Sequence, residues 1–173
     1  MSRKRKRSGY PAFYRTNAAR TTEQRIKRER RAKINTLNQK IALVTDILSR
    51  CIQVALISSF SATEEQVKQM QTAVDDTSTE YIRRRDSVGK VMADLWLKEQ
   101  VEAFLPDNFW MPETVAFSDD DLAVGQGAGS FTCQVWCLAA HSVLDLGKED
   151  LTKMLHGAHV VYNQMQESEK GAE

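Results

Sequence analysis

The sequence predicts an all-α protein: a helical bundle with a long N-terminal helix and a flexible basic N-terminal arm. The chain of 173 residues contains only 8 Gly and 3 Pro, which is too few for a turn-dense β-sandwich or barrel. Neither residue type occurs between Ala12 and Val88, and apolar residues recur there at helical spacing. A hydrophobic content of 42% is enough to build a core, which argues against a wholly disordered chain.

The N-terminal segment, residues 1–33, carries most of the positive charge and is called here the basic arm. It contains 13 Lys and Arg against 2 Glu, a formal charge of +11, whereas the remaining 140 residues carry −10. So basic a block must be solvated or paired with a polyanion. The sequence therefore predicts a basic arm that runs into a helix and binds phosphate, joined to an acidic body.

Within the arm, Arg3–Arg7 is a run of basic residues that importin-type receptors and phosphate backbones both recognise. Three aromatic residues follow among cations, and they either stack on unpaired bases, at roughly 1–3 kcal/mol per base, or anchor the arm on the body. The sequence leaves both interpretations open. The candidate nucleic-acid-binding residues are Arg3, Lys4, Arg5, Lys6, Arg7, Tyr10, Phe13, Tyr14, Arg15, Arg20, Arg25, Lys27, Arg28, Arg30, Arg31 and Lys33.

Residues 34–105 are predicted to form long helices that supply the core and an association surface. The first helix is expected to begin near Thr21 and to carry an apolar stripe at heptad-like spacing. Beyond Ile47 it becomes apolar nearly all round, which predicts burial in a bundle. The stripe consists of Ile34, Leu37, Ile41, Val44, Leu48, Cys51 and Ala55.

The next helix is expected to start at a capping box, Ser61-Ala62-Thr63-Glu64, and to bend or break over Asp75–Thr79, where the residues are weak helix formers. Arg83–Arg85 is either a second phosphate contact or a solvated helix end, and the second interpretation is favoured. A further helix is expected from Val88 to Leu105. Its Trp96 is expected to pack in the core rather than to bind a ligand.

Residues 106–130 are predicted to be an acidic, Gly-rich connector with a flexible hinge over Gly125–Ser130. Its aromatic and acidic part, residues 107–122, is interpreted first as a surface loop with an N-cap at Ser118, and docking on a neighbouring subunit and a disordered activation segment are the alternatives. No Lys-Ser/Thr pair follows these glycines, so a nucleotide-binding loop is not expected. Residues 131–173 are predicted to form a C-terminal helical pair and a polar tail. The two helices are expected at Phe131–Leu144 and from Lys148 to about Met165.

One constellation could hold a metal. Cys133, Cys137 and His141 are spaced four apart, so they share one stripe of a helix, and zinc accepts such ligands. Core packing of the two cysteines is favoured, because free Cys is among the most buried residue types. No nucleophile elbow, paired-acid cleft or Ser-His-Asp order occurs, so the sequence predicts no catalytic residue, no cofactor and no enzyme.

Three expectations concern location. No run of 18 apolar residues is found, so no membrane span is expected. The basic N-terminus has no apolar segment behind it, so secretion is not expected. Three cysteines favour a reducing compartment over a disulfide framework. We therefore expect an intracellular protein, either nuclear or within a nucleoprotein particle such as a virion.

The sequence Arg28-Glu29-Arg30-Arg31-Ala32-Lys33-Ile34-Asn35 resembles the end of a basic helix-loop-helix basic region, with Ile41 at a later apolar position of that family. The resemblance implies a nuclear DNA-binding regulator that dimerises through its heptads. This sequence departs from the family pattern at Lys27, where a base-reading glutamate would stand.

The favoured hypothesis is a non-enzymatic, structural nucleic-acid-binding protein. In it the helical body self-associates as a homo-oligomer and the arm neutralises the phosphate backbone, as in a virus-type coat or nucleocapsid subunit. The alternatives are the DNA-binding regulator and an adaptor with an import arm that contacts an importin-type receptor through residues 3–7. No membrane partner is expected.

Overall fold

The fold is that of a computed structural model, which describes residues 12–113 and 115–170, and the side chains of 24–113 and 115–168. Within these residues there are five helices and no strand, so the predicted all-α class and long N-terminal helix are confirmed. The helices are α1 (Ala12–Phe60), α2 (Glu64–Val88), α3 (Lys90–Val101), α4 (Asp119–Leu144) and α5 (Lys148–Lys170).

Helix α1 begins at Ala12, earlier than the expected start near Thr21. The stretch Ser8–Arg15, which the sequence predicts to be flexible, is therefore helical from Ala12 onward, while residues 1–11 lie outside the described part of the chain. The chain divides into two compact units, residues 1–39 and 40–173, and the boundary falls inside α1.

In the second unit, α1 and α4 pack side by side and run in the same direction. The Trp136 indole N–H donates to Ser49 Oγ at 2.9 Å, and the Thr132 hydroxyl donates to Thr45 Oγ1 at 3.4 Å. Both bonds join residues 87 apart, so the two helices advance together through both contacts. The buried side of this part of α1 is the predicted stripe together with its apolar neighbours: Val44, Leu48, Cys51, Ile52, Ala55 and Leu56.

The N-cap of helix α2 lies two residues later than the expected Ser61. Its N-cap is Thr63, whose hydroxyl accepts from the Gln66 backbone N–H while the Gln66 side chain accepts from the Thr63 backbone N–H, which makes a complete capping box. The predicted Ser61 cap is therefore wrong, and Ser61 instead has a positive φ of 51°. The predicted break over Asp75–Thr79 is also wrong, since α2 continues unbroken through these residues, where burial of neighbouring Met70 and Val74 outweighs weak helix propensity.

A glycine separates α2 from α3. Gly89 has φ 91°, a backbone conformation that residues with a Cβ rarely adopt. Helix α3 ends at Val101, before the expected Leu105. Trp96 lies half-buried against the core, and the Arg84 guanidinium lies 4.8 Å from its ring centroid, so this aromatic packs as predicted.

The Gly-rich stretch is not a hinge, and the predicted connector over 106–130 is too long, because α4 already begins at Asp119. Ser118 does occupy the predicted N-cap position, and its hydroxyl donates to the Asp121 carboxylate at 2.7 Å. Gly125 lies so close to Phe117 that a Cβ there would meet its ring at 2.7 Å, and Gly129 is packed against Met111 in the same way. These two glycines make room for the residues before the helix.

The last helix is close to its expected bounds, starting at Lys148 and continuing to Lys170. Its buried side closes the core against the other helices of the second unit, and Gly157 faces Ala55 of α1. The buried residues of α5 are Leu151, Met154, Leu155, Ala158 and Tyr162.

Candidate nucleic-acid interface

From Gln24 onward, where its side chains are described, the basic arm is an exposed helix. Every residue from Gln24 to Thr36 is exposed, even Ile26 and Ile34 at 41% and 56%. This segment is called here the exposed basic helix. It contains the last six predicted binding residues, and all of these are exposed: Arg25, Lys27, Arg28, Arg30, Arg31 and Lys33.

The cations of the exposed basic helix surround its axis. At 3.6 residues per turn, Lys27, Arg30 and Arg31 share one side, and Arg25, Arg28 and Lys33 share the other. The single acid of this segment, Glu29, lies 3.5 Å from Arg25 in an exposed i,i+4 pair, which contributes only a few tenths of a kcal/mol. The helix can therefore contact phosphates from any direction.

The other predicted contact residues are described in part or not at all. Phe13, Tyr14, Arg15 and Arg20 lie on the helical backbone of α1, but their side chains are outside the described set. Tyr10 and the run Arg3–Arg7 lie outside the described residues altogether. Base stacking by the aromatics and receptor contact by the run remain predictions.

The second basic cluster, Arg83–Arg85, is largely paired within α2. Arg83 and Arg84 contact the Glu80 carboxylate at 2.7 and 2.6 Å, and Arg85 contacts Asp86 at 3.1 Å. The hydrogen bond from Arg83 is the main cause that lowers the pKa of Glu80, with Arg84 adding to it. These pairings favour the solvated helix end over a phosphate contact.

A groove of about 670 Å³ opens between α3 and α4 in the second unit, lined mainly by apolar groups that include Ile41 and Leu97. On its wall, the Tyr81 hydroxyl donates to Asp94 at 2.5 Å, and Lys90 pairs with the same carboxylate. Burial, followed by the hydrogen bond and charge of Asp94, raises the pKa of Tyr81 to about 12. Tyr81 therefore stays protonated near neutral pH and serves as a hydrogen-bond donor.

The sequence did not point to this pair, because its members are 13 residues apart on two helices, α2 and α3, that are joined at Gly89. Tyr81 fits the helical pattern as an apolar residue, and Asp94 as a solvated charge. The only sequence signal is Gly89 between two amphipathic helices, which predicts a turn that brings their faces together.

The predicted cysteine-histidine constellation forms part of the core. Cys133 and Cys137 are fully buried, and burial raises the pKa of Cys133 to about 12 and that of Cys137 further. The His141 Nδ1 lies 2.9 Å from the Leu146 carbonyl oxygen, and its ring stacks on Phe104 with centroids 4.0 Å apart. Among the described residues, no three His, Cys, Asp or Glu side chains are grouped to hold a metal ion.

Helix α1 also bears on the expectation that no segment could span a membrane. Between Gln24 and Phe60 it is long and apolar enough to cross a bilayer, so that expectation was too strong. The apolar window is 33% buried in the protein, and the core helix of a soluble protein has the same length and composition.

Comparisons with protein-family models, curated proteins and solved structures place this chain in no family, because none of them matches it. The resemblance to a basic helix-loop-helix region thus gains no support from them. The function has to be argued from the chain itself.

Proposed function

We propose that this protein is a structural nucleic-acid-binding protein, whose helical body self-associates while its basic arm neutralises a phosphate backbone, as the coat or nucleocapsid subunit of a virus does. The observation that carries the proposal is the exposed basic helix, in which six cations surround the axis and every residue meets solvent. Such a helix lowers its electrostatic free energy by binding a polyanion and releasing counterions. Its place is the nucleus or a nucleoprotein particle.

The distribution of these cations favours backbone neutralisation over base recognition. A helix that reads bases presents one side to the groove and places a few defined side chains on base edges. Here the cations occupy both sides of the helix, and the position of a base-reading glutamate is held by Lys27. Phosphate contacts position a protein and carry no sequence information directly.

The DNA-binding regulator is the second candidate, favoured by the exposure of Arg28–Asn35, the stretch that resembles a basic region. This candidate requires the heptad residues of α1 to form a dimer interface. Val44, Leu48, Cys51 and Ala55 are fully buried inside the body. They therefore already pack within the chain, and they cannot pair with a second chain unless the helices of the body separate.

The test measures binding of the full chain to random duplex and single-stranded oligonucleotides over a range of salt. Six phosphate contacts by the exposed basic helix alone contribute about −5 to the slope of log affinity against log salt for duplex DNA and about −4 for single strands. The seven further cations predicted to bind between Arg3 and Arg20 add to this slope. The variant with Lys27, Arg30 and Arg31 changed to Gln should lower that slope in magnitude by about 3 for duplex. It should weaken all sequences alike.

A matched variant tests whether position or only total charge matters. Changing Lys68, Lys148 and Lys153 to Gln removes the same charge from exposed lysines on α2 and α5, each paired with a carboxylate. We expect this control to leave the slope unchanged. Equal losses in both variants, or no binding at 150 mM salt, would overturn the proposal, whereas preference for one short site would favour the regulator.

A further inference from the structure

Helix α3 has two apolar sides, and only one of them is used within the chain. Ala93, Leu97 and Val101 are buried in the body. On the opposite side Val91, Met92 and Leu95 are exposed by 72%, 54% and 48%, and Val88 at the end of α2 is exposed by 58%. Val88, Val91, Met92 and Leu95 are called here the α3 stripe.

The α3 stripe has the composition of a docking surface. Four large apolar side chains are exposed within eight positions, a higher density than the single exposed apolar residues normal on protein surfaces. Ion pairs flank it, Lys90 with Asp94 and Lys98 with Glu102. An apolar centre with a polar rim is typical of protein–protein interfaces.

The charges at its two ends indicate what covers it. At the α2 end, the three arginines Arg83–Arg85 share two carboxylates, Glu80 and Asp86, so this end keeps an excess of one positive charge after pairing. At the other end, Glu99 and Glu102 outnumber Lys98, so that end is negative. A surface that is positive at one end and negative at the other is complementary to itself when a second copy lies antiparallel.

We propose that the α3 stripe is a two-fold interface between copies of this chain, with the α3 helices antiparallel. The Arg83–Arg85 end of one copy then lies beside the Glu99–Glu102 end of the other, and the apolar centres pack together. This inference rests on the self-association that the proposed function requires, and it names the surface that provides it. A dimer formed in this way joins two basic arms, which raises the effective concentration of each on one polymer.

The experiment is the solution mass of the nuclease-treated full chain by sedimentation over a range of concentrations. Val91→Glu with Leu95→Glu should weaken association at least about tenfold, because it places like charges in the centre of the interface. Leu122→Glu with Val160→Glu is the matched control, since these residues are exposed by 45% and 42% on other helices. Circular dichroism and thermal unfolding establish that both variants remain folded.

Charge exchange gives a second, independent readout. Arg85→Glu alone and Glu99→Arg alone should each weaken association, and the two changes together should restore it, because the ends again become complementary. Rescue of this kind is not expected from any loss of folding. It would exclude a partner other than a second copy.

The experiments distinguish a failure of the α3 interface from a failure of self-association as a whole. A wild-type chain that associates equally well with both stripe substitutions, or without rescue by charge exchange, overturns the α3 interface and leaves self-association itself standing. A wild-type chain that is monomeric at all concentrations overturns the interface and the self-association in the proposed function together. Arm binding is measured separately by the salt slope, so it does not depend on either outcome.

Discussion

The two halves of α1 share one continuous helix and one apolar stripe, yet the stripe is exposed in the first half and buried in the second. Ile34, at the start of the stripe, is 56% exposed, whereas Leu48, two heptads further on, is fully buried. The apolar residues of the first half lie among cations whose burial would cost a large desolvation free energy, whereas the second half packs against α4. An apolar stripe thus becomes core only where a second element covers it and the surrounding charges permit burial.

The largest expected effect comes from the same kind of truncation in each half. Leu48→Ala removes a fully buried side chain and should lower the free energy of unfolding by about 2–5 kcal/mol. Ile34→Ala should change it by less than about 0.5 kcal/mol. Urea unfolding followed by circular dichroism measures both, and equal losses would mean that the first half is also packed.

The next effect concerns α4, the partner of the second half. Gly125→Ala should lower the free energy of unfolding by about 1–3 kcal/mol, because the new methyl group meets the Phe117 ring at 2.7 Å. Gly127→Ala is the control: no atom lies near its added Cβ, and it should raise stability by about 0.4–1 kcal/mol. Stabilisation by both would show that the residues before α4 move aside freely.

The smallest effect concerns how the free energy of unfolding of the body depends on pH through Tyr81. The folded pKa of Tyr81, about 12, is above its ordinary value of 10.0. The Tyr81–Asp94 contact therefore stabilises the fold fully below pH 10, and its contribution is lost as pH rises through about 12. Tyr81→Phe should cost about 1 kcal/mol at pH 8 and should remove this part of the loss at high pH.

Unfolding curves at pH 8, 9 and 11 measure this difference in the free energy of unfolding between wild type and Tyr81→Phe. The difference in the free energy of unfolding between the two proteins should be constant from pH 8 to 9 and should become smaller at pH 11. Lys90→Gln is the control variant, because it removes another partner of Asp94 and keeps the Tyr81 hydroxyl. A difference that stays the same at every pH would show that Tyr81 titrates no differently in the folded chain.

Helical periodicity predicted most of the fold because it records which residues face a partner. The stripe on α1 and the burial of Cys133 and Cys137 were predictable in this way. The start of α4 was not, because three glycines and an alanine within residues 125–130 have the composition of a hinge. Contact of Phe117 with Gly125 and of Met111 with Gly129 holds them in a helix, and such long-range packing leaves no local signal.

The candidate site divides in the same manner. The cations of residues 25–33 were predictable from charge alone, since solvation forces so dense a block to the surface. Their arrangement around the helix required only its period. The α3 stripe was not recognised, because Val91, Met92 and Leu95 look like core residues, as Ala93 and Leu97 do.

What the sequence determined by itself is the helical class, the separation of a basic arm from an acidic body, and the residues available for burial. These follow from local propensity, charge and period, which are properties of neighbouring residues. Only the tertiary structure decided which apolar sides found partners: α4 covers the second half of α1, while one side of α3 remains exposed. Burial depends on elements distant in sequence that compete for the same surface, and no local pattern records the result of that competition.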